Sequence, residues 1–327
     1  MKNFKGERQM SKRTMTEAYG EVLAELAKEN RDIVVLDADL GPHVGIRRFA
    51  EAFPERYFTV GIAEQNMVSI AAGLATYGKI PFVNTFACFF EKAYEQIRIA
   101  VAYTKLNVKI IASHSGIATG PDGATHEALE DIAIIRALPN MTLISPADHI
   151  EAAKAVRAVV ERKGPVYMRF TRPAVLAIFD ESYDFQIGKA VTIRDGFDAT
   201  IMATGIMVSE ALEAANSLAK EGLDVRVVDV STIKPIDEEA IVKAASETGA
   251  IVTAEDHSII GGLGSAVSEV LGEHKPADIE RVGVKDAFGK SGHTEELFEI
   301  YGLTALDIAK AVNRVLDRKR ETAASIS

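Results

Sequence analysis

Tyr57-Phe58-Thr59-Val60-Gly61-Ile62-Ala63-Glu64-Gln65-Asn66-Met67 is the stretch on which the reading of this chain turns. A β-rich run ends at Val60, Gly61 lets the backbone turn, and Met67, Ile70, Ala71 and Leu74 then recur at helical spacing. Glu64 falls in the first turn of that helix, on the same face as Met67, Val68 and Ala71. A carboxylate turned toward apolar neighbours has its charged form disfavoured, so burial should raise its pKa and make it a proton-sharing group. An acid in a first turn also simply complements the helix dipole, and the stretch alone leaves both readings open.

Outward from this point, strands alternate with helices. Residues 15–30 read as an amphipathic helix with Ala18, Val22, Leu23 and Leu26 inward. Ile33-Val34-Val35-Leu36-Asp37 is a continuous apolar run closed by acid, as in a buried parallel strand. Asp37 and Asp39 stand at its carboxyl end, where ligands of open α/β sheets sit, although either could merely cap the turn. Strands at 80–84, 107–113, 141–145 and 165–170 follow, with an aromatic loop at 85–90 and helices at 94–103, 127–138 and 148–162. Between 171 and 198 the periodicity weakens, and a second αβ series then runs to about 316. The expected fold is α/β, with two doubly wound domains whose sheets are mostly parallel. Its divisions are a tail over 1–14, a first domain over 15–185, a smaller second domain over 186–317 and a frayed tail over 318–327. Gly261-Gly262-Leu263-Gly264-Ser265 could hold an anion at a helix N-terminus, or serve close packing of helix on strand.

The chain's 327 residues, 47% hydrophobic and 26% charged, suit two domains with real cores. A net charge of −10 argues against a nucleic-acid protein, which needs a basic field. One cysteine, Cys88, excludes an internal disulfide and fits a cytoplasmic location; among Phe86, Ala87, Phe89 and Phe90 it reads as a small buried residue rather than a nucleophile. No apolar run reaches membrane-spanning length, and no zinc-type Cys/His spacing occurs.

A second block carries chemistry: His114-Ser115-Gly116-Ile117-Ala118-Thr119-Gly120-Pro121-Asp122-Gly123-Ala124-Thr125-His126. Its glycines at 116, 120 and 123 let the backbone bend closely around a ligand. Two histidines and an aspartate there can hydrogen-bond sugar hydroxyls and move protons near neutral pH. Phe86 and Phe89, three residues apart near a strand end, could stack on a flat heteroaromatic ring or simply be core.

The run from Val60 to Met67 resembles the aminopyrimidine-side motif of thiamine diphosphate enzymes of the transketolase family, and the 114–126 block resembles that family's substrate loop without a gap. With the domain order, the resemblance covers nearly the whole chain but only the later half of a full-length transketolase. It implies that Glu64 activates the aminopyrimidine, that Phe86 and Phe89 stack on it, and that Asp39 and Ile62 lie beside the cofactor. It further implies that His126 lines the channel to the reactive carbon, that His114 contacts the donor or the cofactor-bound intermediate, that Asp122 reads the hydroxyl beside the carbonyl, and that Arg172 holds a phosphate. His43 joins the substrate residues. Thr16 stands where many members carry a further arginine, His43 or Arg13 could compensate, and the role of Lys92 is open.

The Gly-Asp-Gly motif that holds the diphosphate through a divalent ion in this family is absent from the chain. The resemblance therefore implies a separate N-terminal subunit carrying magnesium or calcium and the diphosphate site, no metal held by this chain, and a two-plus-two heterotetramer acting on phosphorylated sugars. The alternatives are a 1-deoxyxylulose-5-phosphate-synthase-like enzyme, which usually shows Asp-Arg where His114-Ser115 stands, and the β subunit of a 2-oxoacid dehydrogenase E1, whose loop lacks the pattern from Asp122 to His126. A non-catalytic pairing subunit is a third.

Overall fold

The structure, a computed structural model, describes residues 12–41 and 43–326. The first domain runs α1 (Met15–Glu29), β1 (Ile33–Asp37), α2 (Arg47–Ala52), β2 (Tyr57–Thr59), α3 (Glu64–Thr76), β3 (Ile80–Phe86), α4 (Ala87–Phe90), α5 (Tyr94–Gln96), a π-helix (Ile97–Tyr103), β4 (Lys109–Ser113), α6 (Asp131–Arg136), β5 (Thr142–Ile144), α7 (His149–Glu161) and β6 (Val166–Arg169). The second runs β7 (Val191–Arg194), β8 (Ala199–Ala203), α8 (Met207–Lys220), β9 (Val225–Asp229), β10 (Thr232–Lys234), α9 (Glu238–Glu247), β11 (Ala250–Ser258), α10 (Leu263–His274), β12 (Asp278–Val284), α11 (Thr294–Tyr301) and α12 (Ala305–Ile326).

Every residue of β1 is buried, because helices cover both sheet faces. On one face α1 and α7 pack Met15, Tyr19 and Leu23 with Val156 and Val159. On the other, α3 and the π-helix pack Met67, Val68 and Ala71 with Ile97 and Val101. The α1 start is fixed by a capping box between Thr14 and Glu17, and that of α7 by Asp148, whose side chain accepts from Glu151 N.

The first sheet has the order β10-β5-β6-β4-β3-β1-β2 and the second β12-β11-β8-β9-β7. Within each domain the strands are parallel except for β7, antiparallel to β9. One strand crosses the boundary: β10 from the second half joins the first sheet antiparallel to β5. Three residues carry too little periodicity to announce such a strand.

Other expectations need correction. Residues 85–90 are not a loop, since β3 runs through Phe86 and α4 follows at once. The helix expected over 127–138 begins only at Asp131, because Ala128 bridges Ser115 and Leu129 O accepts from Ser258 N. The helix expected over 94–103 becomes π-helical from Ile97. The helix α12 continues through the segment read as a frayed tail, to Ile326. Of the tail expected over 1–14, residues 1–11 lie outside the described residues, while Arg13 exchanges backbone hydrogen bonds with Val175. No helix among the described residues is long and apolar enough to cross a membrane.

Candidate active site

Gly61, at φ 69°, turns the chain out of β2, and α3 starts at Glu64. The buried residues of α3 are Glu64, Met67, Val68, Ala71 and Ala72, an arc with Glu64 near its middle at about 100° per residue. Ile70, although at helical spacing with Met67 and Leu74, falls outside the arc and is 38% exposed. Glu64 is only 5% exposed, yet its carboxyl has no hydrogen bond or ion pair to any described residue. The Glu64 carboxyl oxygens are not among the buried side-chain atoms left without a partner, so although most of the residue is covered its acid end stays open to solvent, where a ligand could reach it. Ile62, just before it, is 78% exposed and so lies outside the core.

The end of β3, the first turn of α4 and the end of β4 bring four rings together. His114 lies parallel to Phe86 at 3.9 Å between centroids, and Phe89 lies parallel to Phe86 at 5.7 Å. His126 meets Phe89 edge-on at 5.4 Å, and Lys92 Nζ sits 4.9 Å from the Phe89 centroid, a cation–π contact that gives Lys92 a place. Gln65 Nε2 donates to Lys92 O at 3.0 Å, tying α3 to this cluster. Phe86 is 7% exposed and already stacked, so Phe89, half-buried, is the better-placed ring to meet a ligand.

His114 has the left-handed φ of 52°, held by Thr119 Oγ1, which donates to His114 O at 2.8 Å. Burial lowers its pKa to about 4, with further lowering from Arg172, His43 and His126 against an opposing effect of Asp122. The groups acting on His114 are the expected substrate residues, so the fold brings all five to one place. His126 Nδ1 pairs with Thr125 Oγ1 at 2.8 Å. Arg172 Nη1 bonds Asp122 Oδ1 at 2.8 Å and Thr119 O at 2.7 Å. The two residues read as separate ligand contacts are thus partners of each other. A partly exposed pair of this kind is worth about 1 kcal/mol or less, so an incoming anion can take over the guanidinium.

Asp37 makes the turn, accepting from the N–H groups of Asp39 and Leu40 and from the Tyr57 hydroxyl, while Asp39 stays exposed at φ 68°. Burial, and then the bond to Asp37, push the Tyr57 pKa up. Sequence reasoning missed Tyr57, which stands opposite Val35 in the β1–β2 register and reaches Asp37 only through its long ring and hydroxyl. His43 is exposed, and Arg13 is engaged by Glu21. The proposed anion site at α10 is filled from within, because Glu255 accepts from Leu263 N at 2.6 Å and Gly264 N at 2.8 Å. Burial of the Cys88 thiol, then nearby Glu91, push its pKa up to about 12, so it stays a thiol. No group of three or more His, Cys, Asp or Glu among the described residues is placed to hold a metal.

One consequence concerns acid. With a folded pKa near 4 against an ordinary 6.5, His114 makes the native state bind fewer protons than the unfolded one. Its contribution is complete above pH 6.5 and is lost as pH falls through 4. The Tm gap between the wild type and His114→Asn should therefore shift against the wild type over that interval; a gap independent of pH would show that His114 is not held neutral.

The site thus gathers a carboxyl without a partner among the described residues, stacked rings and histidines at the strand ends of the first of two α/β domains. Residues 11–176 match the pyrimidine-binding domain of transketolase and residues 188–308 match the transketolase C-terminal domain. The chain belongs to the transketolase family and corresponds to its C-terminal section. It is similar to a putative transketolase C-terminal section of Methanocaldococcus jannaschii, 49% identical over 91% of this chain and 95% of that one. It is also similar to the 6-deoxy-6-sulfo-D-fructose transketolase subunit of a Clostridium strain, 45% identical over 93% and 95%. A solved split-gene transketolase, described as an inactive beta4 tetramer, superposes with a TM-score of 0.88 at 50% identity, covering 93% of this chain and 98% of that one.

Proposed function

We propose that this chain is the C-terminal subunit of a split transketolase, transferring a two-carbon ketol unit between phosphorylated sugars when joined to a separate N-terminal subunit. The observation that carries this reading is Glu64, a largely covered residue whose carboxyl meets no described residue, on the helix that Gln65 ties to the cluster of stacked rings and histidines. The family implies thiamine diphosphate, and a carboxyl facing out of an apolar helix surface fits the ring nitrogen of an aminopyrimidine. When bound, that cofactor supplies a carbon nucleophile able to stabilise a carbanion. Glu64 would be the residue that holds a proton at a ring nitrogen of that heterocycle. Phe89 offers an apolar ring to the same heterocycle. His126, oriented by Thr125, and neutral His114 hold and pass protons at the sugar oxygens, and Asp122 accepts from a hydroxyl. Arg172 takes the phosphate, exposed His43 serves as a further substrate contact, and Asp39 and Ile62 line the cofactor's side. The metal, magnesium or calcium, and the diphosphate belong to the partner subunit, and two of each chain form the heterotetramer.

The test is reconstitution. The purified chain alone should give no turnover, and addition of the N-terminal subunit, magnesium and thiamine diphosphate should restore ketol transfer. Turnover by this chain alone would overturn the division of the site. Pyruvate consumption without ketose cleavage would move the assignment to the synthase alternative. Arg172→Leu should raise KM for phosphorylated donors by about ten- to a hundredfold, the scale of a lost charged contact, with kcat little changed. An equal loss with an unphosphorylated ketose would remove Arg172 from the phosphate.

A further inference from the structure

The glycines of the 114–126 loop are crowded, but not by an empty cleft. A Cβ at Gly116 would stand 2.1 Å from Asp256 Oδ2 and 2.4 Å from Asp256 O. At Gly120 it would stand 3.2 Å from Gly292 O, and at Gly123 2.3 Å from Ser291 Oγ. All three have positive φ, at 72°, 72° and 79°. In the other direction, a Cβ at Gly289 would stand 1.5 Å from Glu127 Oε2. The glycines expected to admit a ligand therefore admit the second domain.

Among these contacts Asp256 is the one that cannot yield. It is fully buried, its Oδ1 lies 2.6 Å from Arg169 Nη1, and its backbone O accepts from Arg169 Nη2 at 3.2 Å. Arg169 is in turn held by Asp131 through Nε at 3.1 Å. Opposite Asp256, Ser115 N and Oγ donate to Phe170 O at 3.2 and 2.9 Å, and Gly116 N donates to Ala128 O at 3.0 Å. The root of the loop is thus gripped between the first sheet and the end of β11, two residues from His114.

We propose that the second domain is the template on which the substrate loop takes its shape, and that Asp256 is a positioning residue that sets Gly116 and, through it, His114. The kinetic consequence rests on the ketol-transfer reading above; the structural one rests on the contacts alone. Charge and shape are separable. Asp256→Asn keeps the side-chain volume against Gly116 and loses the charge facing Arg169, whereas Asp256→Ala loses both and leaves only the backbone O against Gly116.

Both variants should lower Tm. Only Asp256→Ala should raise KM for the donor ketose in the reconstituted pair by about tenfold or more, the scale of a misplaced contact, with thiamine diphosphate affinity unchanged by titration calorimetry. Only Asp256→Ala should speed amide hydrogen exchange across 114–126 in the isolated subunit, leaving α3 protected. If Asp256→Ala does not fold, Asp256→Ser, which keeps an acceptor for Arg169 at smaller volume, gives the same comparison. Wild-type KM together with a protected loop in the truncated variant would overturn the template, as would an equal rise in KM for Asp256→Asn. If the wild-type pair shows no ketol transfer, the functional reading fails, and the exchange comparison alone decides the template.

Discussion

Glu64→Ala in the reconstituted enzyme is expected to lower ketol transfer by about a hundred- to ten-thousandfold, the range for losing a positioned proton-sharing group. The same substitution should leave the Tm of the isolated chain unchanged or raise it. The two expectations come from one observation: a carboxyl without a partner among the described residues makes no contact through which it would stabilise the fold. Glu64→Gln keeps the shape but cannot share the proton in the same way, so it should lose nearly as much activity. Near-normal turnover in either variant would reject the role assigned to Glu64. A large fall in Tm would make it a structural acid instead.

For Arg169→Ala the expected loss is in stability. The guanidinium lies between Asp131 and Asp256, with side chains 2%, 1% and 1% exposed. Removing it leaves two buried carboxylates facing each other without a cation. Breaking a buried pair from one side costs roughly 3–5 kcal/mol, because the remaining charge stays unpaired. At the slope typical of large domains this is on the order of 10 °C in Tm. The two halves of the chain meet at this point, since Arg169 ends β6 and Asp256 lies in β11. Loss should therefore appear as an earlier transition of the whole chain, followed by differential scanning calorimetry. A Tm within about 2 °C of wild type would mean that water or a neighbouring group replaces the guanidinium, a shift that corresponds to less than about 1 kcal/mol.

Much of the candidate site was legible because its signals are local. Glu64, Phe86, Phe89 and the 114–126 block each sit at a strand end, and a parallel α/β sheet brings such ends to one edge. Less legible was whatever depends on partners distant in sequence. The pairing of Asp122 with Arg172 joins residues fifty positions apart. Tyr57 reaches Asp37 only because β1 and β2 are neighbours. The Gly261–Ser265 turn leaves an anion site and close packing both open in the sequence, and only the contacts of Glu255 with Leu263 N and Gly264 N decide for an internally filled turn.

The amino-acid sequence by itself determined the alternation of strands and helices, the division into two α/β units and the acid at the start of α3, since apolar period and turn chemistry act within a few residues of each other. Only the tertiary structure decided what the glycines at 116, 120 and 123 are for, that β10 completes the other domain's sheet, and that Arg169 is shared between the two halves. A glycine's permissiveness is written in the chain; which neighbour occupies the space it leaves depends on how distant segments pack.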